Sequence, residues 1–263
     1  MLTLYHSGSS VCSQKSRLIF AEKAVPYDSR NLDMTKGEHQ TPEYLALNPN
    51  GVVPTLVTET GVVVRESSVI IEFVDQLTEP RLMPTTGQGV WDTKLWLIRC
   101  IEIHAAVNSI SFATVIRNQI LDAIPPEKRE GWLMSHKNAE IREKRRSLLE
   151  QGAASHHVDG ALSIFDGVFR DMSAALAQGP WINGATFGLA DCALVAYVDR
   201  IRRLGLTGLY EGRFAGIAEW LDAARNRPSY DAAIQSYYTA EAEAAYLHAG
   251  QAAWPEIEKR LTS

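Results

Sequence analysis

The chain is poor in cysteine. Cys12, Cys100 and Cys192 are far apart and odd in number among 263 residues, which suits reduced thiols in a cytoplasmic protein rather than a disulfide framework. Paired-cysteine and His-x-x-x-His spacings are absent, so no metal site is expected. No apolar run is long enough to cross a bilayer, so no membrane partner is expected. Residues 1–6 lack the basic stretch followed by an apolar one that marks a secretory leader. Positive charge is also short: 26 Lys and Arg against 31 Asp and Glu leave a net charge of −5, which argues against a nucleic-acid binder. No repeat or low-complexity tract stands out. A length of 263 residues with 46% hydrophobic content can bury a large core and suits two domains.

Two short stretches organise the first third. The first is Gly51-Val52-Val53-Pro54-Thr55-Leu56. Pro54 cannot donate a ladder hydrogen bond, so it ends a strand or sits at an edge. If the bond before Pro54 is cis, the chain turns sharply and leaves the Val53 N–H and C=O facing outward, ready to pair with an extended peptide. An ordinary proline at a strand start is the other reading. The second stretch is Arg65-Glu66-Ser67-Ser68, which reads as the cap of a helix through Ile70, Ile71, Phe73 and Leu77.

Around these the pattern predicts a strand at 2–5, a loop at 7–10, a helix at 12–23 and a second, parallel strand at 26–31. Leu18, Ile19 and Ala21 fall at helical spacing with basic Lys15 and Arg17 alongside, and Ser9 and Ser10 lie where a helix is capped. A loop over 36–48 holds a helical piece at 42–47. Residues 53–58 and 62–65 form a hairpin around Glu59-Thr60-Gly61. The order βαβ then ββα is a thioredoxin-like plan. The expected division is an α/β domain over 1–80, a linker over 81–89 containing Pro84, Gly87 and Gly89, and an all-helical domain over 90–263. Its helices are expected at 91–115, 158–176, 187–201, 214–226 and 230–249. Residues 127–150 read as a charged helical excursion with Lys144-Arg145-Arg146 on a solvated face. Asp191, three residues after Gly188, can reach the free N–H groups of a helix start.

Four pieces in order carry a resemblance: Ser9-Ser10-Val11-Cys12-Ser13-Gln14-Lys15-Ser16-Arg17-Leu18, Gly37-Glu38-His39-Gln40-Thr41-Pro42-Glu43-Tyr44, Val53-Pro54-Thr55-Leu56 and Arg65-Glu66-Ser67. Together with a helical second domain they resemble the cytosolic glutathione transferase family over essentially the whole chain. The resemblance implies glutathione as co-substrate and a homodimer. It implies that Val53, ahead of Pro54, pairs with the cysteinyl backbone of the tripeptide. Glu66 and Ser67 would hold the γ-glutamyl end, and His39 and Gln40 the glycyl carboxylate.

A free thiol ionises at about 8.5 and is mostly protonated at neutral pH. A hydroxyl donor at the positive end of a helix favours the thiolate. Ser10 falls where serine-type members of the family carry their activating serine, ahead of Tyr5 and Ser9. Ser10-Val11-Cys12-Ser13 is also similar to the Ser-x-Cys-Ser pattern of zeta-like isomerases and reductive dehalogenases, in which Cys12 would do thiol exchange; a small buried residue in the first helical turn is the other reading. The charged segment after Pro125 resembles the insertion of bacterial β-etherases, which cleave aryl ethers with glutathione. Gly188 departs from the family's Ser or Thr cap. His104, Asn108 and Phe112 lie near one helical face and are candidates for holding a hydrophobic, aromatic electrophile. The expected activity is thiolate attack on that electrophile. Reductive dehalogenation or cis–trans isomerisation through Cys12, and a non-catalytic glutathione-binding scaffold, are the alternatives.

Overall fold

The computed structural model describes residues 1–136 and 138–261. The chain opens with β1 (Leu2–His6), α1 (Val11–Glu22) and β2 (Tyr27–Asn31), and a turn of 3-10 helix at Glu38–Gln40 leads to α2 (Pro42–Leu47). Then come β3 (Thr55–Val57), β4 (Val63–Arg65) and α3 (Ser67–Asp75). The strands form one sheet in the order β2-β1-β3-β4, with β1 parallel to β2 and antiparallel to β3, and β3 antiparallel to β4. This is the expected thioredoxin-like α/β arrangement. Leu4 and Leu56 from the sheet, Leu18 and Ile19 from α1, and Ile70, Ile71 and Val74 from α3 are all sealed from solvent. Each such side chain contributes roughly 1.5–3 kcal/mol on burial, so this cluster fixes the register of β1 against β3.

The rest of the chain is helical: α4 (Gln88–Ser111), a π-helical turn at Phe112–Ile116, α5 (Arg117–Ala123), α6 (Pro126–Met134), α7 (Ala139–Gln151), α8 (His156–Leu176), α9 (Leu189–Arg203), α10 (Ile217–Arg225), α11 (Pro228–Ala233) and α12 (Ala240–Leu261). Among the described residues no helix is long and apolar enough to cross a membrane. The chain divides into two compact units. Unit 1 comprises Met1–Ile101, Ala174–Val198 and Gly216–Thr239; unit 2 comprises Glu102–Ser173, Asp199–Ala215 and the chain from Ala240 on.

Several expectations need correction. The helix expected at 91–115 does not stop there; a wide turn at Phe112–Ile116 carries it into α5. The excursion at 127–150 is two helices, because Asn138 caps a new one by accepting from the Glu140 and Ile141 N–H groups. The helix expected at 230–249 is broken between α11 and α12 by a 3-10 turn at Gln235–Tyr237. Lys144, Arg145 and Arg146 are half-buried rather than a solvated face. Lys15 and Arg17, expected beside the apolar stripe of α1, are 0% and 1% exposed. Glu66 occupies the cap position of α3 but its side chain makes no capping bond there.

Asp191 behaves as expected. One carboxylate oxygen accepts from the Gly188 N–H at 2.8 Å; the other accepts from the Ile182 N–H at 2.9 Å and the Trp220 indole at 2.7 Å. Burial outweighs these donors and pushes the carboxyl from 3.8 up to about 6. The folded protein therefore keeps a proton that the unfolded chain has lost between those values. Stability from this group is fully present below about pH 4 and falls as pH rises through 6, by on the order of 3 kcal/mol. Urea unfolding of native protein and Asp191→Asn across pH 4–7 is expected to show that slope in the native protein and its loss in the variant.

Candidate functional site

The loop from Ser7 to Ser10 is set from two sides. Ser10 is the N-cap of α1, and its hydroxyl oxygen accepts from the Ser13 N–H at 3.3 Å. Used as an acceptor, the hydroxyl keeps its own proton, and among the described residues nothing accepts it. Ser10 is partly exposed, so a donor stands at the positive end of a twelve-residue helix. From behind, Arg17 donates to the carbonyls of Ser7 at 3.1 Å, Gly8 at 2.8 Å and Ala233 at 2.8 Å. The Ser7 N–H is taken by the Ser13 hydroxyl at 3.1 Å.

Cys12, in the first turn of α1, is half-buried, and its sulfur lies 3.9 Å from the Tyr197 hydroxyl of α9. Burial and the neighbouring thiols push that hydroxyl well above the usual tyrosine range, so it stays protonated and able to donate. Tyr197 also meets the Ser67 hydroxyl, so it stands against both the first turn of α1 and the start of α3. Lys15 donates to the Ser68 hydroxyl at 2.6 Å, and that hydroxyl donates to the Leu97 carbonyl at 2.9 Å.

Val53 and Pro54 are buried and the peptide bond between them is cis. Among the described residues the Val53 N–H and C=O carry no hydrogen bond, whereas the preceding carbonyl is fully engaged. The Val52 oxygen accepts from the Tyr44 hydroxyl at 2.6 Å and the Asn48 amide at 2.9 Å. With its proton spent there, Tyr44 accepts from the Thr55 hydroxyl at 2.9 Å, and Thr55 accepts from Asn48 at 3.0 Å. Every hydrogen in this buried ring has a place. Gln40 donates to the Gly51 carbonyl at 3.0 Å, and Gly51, at φ 58°, leaves room for that amide where a Cβ would collide with it. His39 is half-buried in the Glu38–Gln40 turn.

Glu66 is exposed and sits at φ 66°, ψ 119°, a region that non-glycine residues seldom occupy. Such outliers gather where a backbone is held for function. Ser67 follows as the first, buried residue of α3, its N–H among the free donors of that helix start.

Ser10, Cys12, His39, Gln40, Val53, Pro54, Glu66 and Ser67 thus all lie in unit 1. His104, Asn108 and Phe112 lie in unit 2 at four-residue steps; His104 is half-buried, Asn108 exposed and Phe112 buried. Sequence reasoning missed Tyr44, Asn48, Arg17 and Tyr197. Tyr44 and Arg17 stood in quoted motifs and Asn48 close to one, but nothing in their local pattern marked them as buried supports. A tyrosine in a buried helix carried no signal. Among the described residues no group of three or more His, Cys, Asp and Glu is placed to hold a metal ion.

Tyr44→Phe is expected to destabilise the protein by about 1–3 kcal/mol, because the buried Thr55 hydroxyl loses its acceptor. Adding Thr55→Val is expected to recover part of that loss in urea unfolding; a double variant as unstable as the two losses added together would show that the ring is not coupled.

Residues 9–77 match the description "Glutathione S-transferase, N-terminal domain" and residues 155–223 "Glutathione S-transferase, C-terminal domain", together over half of the chain. Glutathione S-transferase TCHQD of Arabidopsis thaliana is 24% identical over 250 residues, 90% of this chain and 91% of the relative. A tetrachloro-p-hydroquinone reductive dehalogenase of Sphingobium chlorophenolicum is 25% identical over 216 residues, 78% of this chain and 85% of the relative. Among solved structures, the beta-etherase LigF of a Sphingobium strain aligns with a TM-score of 0.77 at 23% identity, covering 89% of this chain and 99% of that one; at that identity the likeness is one of fold.

Proposed function

Since the chain belongs to the glutathione S-transferase family, a family of enzymes with glutathione as co-substrate, we propose that it activates the glutathione thiolate for attack on a hydrophobic aromatic electrophile. The observation that carries the reading is Ser10. Its oxygen is occupied as the cap of α1 while its proton is free to donate. A thiolate there receives a charge-assisted hydrogen bond and the positive end of the helix. Both favour the ionised form, so the bound thiol loses its proton at a lower pH than free glutathione.

The other residues position the tripeptide in this reading. The unpaired N–H and C=O of Val53 match the cysteinyl backbone of glutathione. The Ser67 N–H at the start of α3 takes the γ-glutamyl carboxylate, and Glu66, held outward, takes the ammonium. His39 and Gln40 lie toward the glycyl end, with Gln40 also bracing Gly51. Residues 1–80 are the glutathione-holding domain of this proposal and 90–263, after the linker at 81–89, the electrophile-holding one, with His104, Asn108 and Phe112 as contacts. When the electrophile is a β-aryl ether, the thiolate attacks the carbon bearing the aryloxy group. A C–S bond forms, the C–O bond breaks, and the phenolate leaves with the electron pair and then takes a proton.

The same reading makes the protein a cytoplasmic homodimer. A second copy is expected on the groove of about 320 Å³ in unit 1 lined by Val69, Leu97, Ile98 and Ile101, where Val69, Ile98 and Ile101 are more than half exposed.

A second reading is favoured by Cys12, which lies in the first turn of α1 with a protonated hydroxyl beside its sulfur. There Cys12 attacks the sulfur of a glutathionyl-substrate adduct. The S–C bond breaks, the carbon takes the electron pair and a proton, and a second glutathione reduces the resulting mixed disulfide.

The ultraviolet thiolate absorbance of bound glutathione across pH separates the two. Native protein and Cys12→Ala are expected to ionise the thiol well below its free value. Ser10→Ala is expected to lose that shift and, with it, on the order of 10²-fold in rate. A native protein that leaves the thiol at its free value would remove the mechanism.

A further inference from the structure

Unit 2 holds a second constellation of polar and aromatic groups. The Phe112 ring, at the start of the π-helical turn, stacks on Trp132 of α6 at a centroid distance of 6.4 Å and 26° between planes. Arg145 of α7 brings its guanidinium over both rings, 5.9 Å from the Phe112 centroid and 5.7 Å from that of Trp132. The His136 ring stands edge-on to Trp132 at 5.2 Å and lies against Arg145 Nη1, 3.1 Å from His136 Nδ1. Phe112 is buried and backs the pair, while Trp132 and Arg145 are partly exposed.

The charges here are arranged against stability. Arg146, the more solvated neighbour, has a carboxylate, pairing both nitrogens with Glu130 at 2.6 and 2.8 Å. Arg145, the more sheltered of the two, has none among the described residues; its polar partner is His136. Burial lowers the Arg145 guanidinium from its ordinary value with no carboxylate opposing it, and burial together with Arg145 lowers His136, so the histidine is neutral and the arginine carries the charge. A partly desolvated cation without a counter-charge costs free energy. Two aromatic faces offset only part of that. The scaffold nevertheless holds it firmly: Arg146 ties α7 to α6, and Arg129 ties α6 to the end of α5 through the Ile124 and Leu121 carbonyls at 2.9 and 3.0 Å. A π turn at Phe112 is itself a device found at functional positions in helices.

We propose that Trp132 and Arg145, backed by Phe112, form a binding site for an aromatic ring that carries a carboxylate. The aryl face lies on Trp132 and the carboxylate accepts from the planar fork of Arg145. This deepens the transferase reading and rests on it: it makes the electrophile an aromatic acid rather than any hydrophobic aryl compound.

The test is calorimetric titration of the native protein, without glutathione, by benzoate and trans-cinnamate, by their neutral amides, and by acetate. The carboxylates are expected to bind roughly ten- to a hundredfold more tightly than the amides, with acetate far weaker than benzoate. Arg145→Met and Arg145→Gln, checked for folding by circular dichroism, are expected to reduce the acid-over-amide preference to within about twofold. Equal binding of acid and amide by the native protein, binding of acetate equal to that of benzoate, or a preference that survives in both variants would each overturn the proposal. No thiol takes part in the titration. Failure of thiolate activation alongside an intact acid preference therefore strikes the Ser10 mechanism and leaves this site standing.

Discussion

A guanidinium inside unit 1 holds the start of α1 in place. Arg17 has almost no solvent contact, yet it donates to the carbonyls of Ser7, Gly8 and Ala233 and lies 3.7 Å from the centre of the Tyr237 ring. A buried charge with fewer partners would be strongly destabilising. His6 completes the arrangement. Burial, with Arg17 beside it, pushes the imidazole down to about 4, so at neutral pH it accepts from Arg17 through Nδ1 and donates to Ser29 through Nε2. The loop that presents Ser10 is therefore braced by an interior charge, and its sequence of small residues needs no rigidity of its own.

The polar networks follow one plan. The Tyr44–Asn48–Thr55 ring closes on the Val52 carbonyl, Lys15 and Ser68 close on Leu97, and Asp191 closes on three donors around the start of α9. The Tyr44 ring fills the hydrogen-bonding capacity of its buried members, and each network fixes a turn or a helix start. Among the described residues, the Ser10 proton, the Val53 N–H and C=O and the Ser67 N–H stay open, and these are groups that the proposed mechanism uses. Saturated support behind open groups gives a site that needs little reorganisation to bind.

Much of unit 1 was legible in the sequence, because its signals are local. Ser10 announces a cap, Glu59-Thr60-Gly61 turns a hairpin, and Asp191 stands three residues beyond Gly188; Pro54, expected to end a strand or sit at an edge, instead stands immediately before the central strand β3. The failures share a cause: charge in a one-dimensional pattern does not say which way a side chain points. Lys15 and Arg17 read only as basic residues beside an apolar stripe yet are sealed, and among their partners are Ser68, more than fifty positions from Lys15, and Ala233, more than two hundred from Arg17. Lys144-Arg145-Arg146 reads as one wet face, yet adjacent arginines take opposite fates, one paired with Glu130 and one laid over aromatic rings. Tyr197 left no trace, because its importance rests on where α9 packs and not on its neighbours in sequence.

The short open backbone at Val53 has a bearing on what the protein avoids. Unpaired strand backbone invites other chains to add themselves in register and continue into aggregates. Here the invitation is one residue long. On one side the Val52 oxygen is already doubly occupied; on the other, Pro54 has no hydrogen to give. A guest can match a single residue and then finds no further rungs. These two features bound the open backbone at Val53, so in the proposed reading a small peptide finds its match there while a growing fibril would stall.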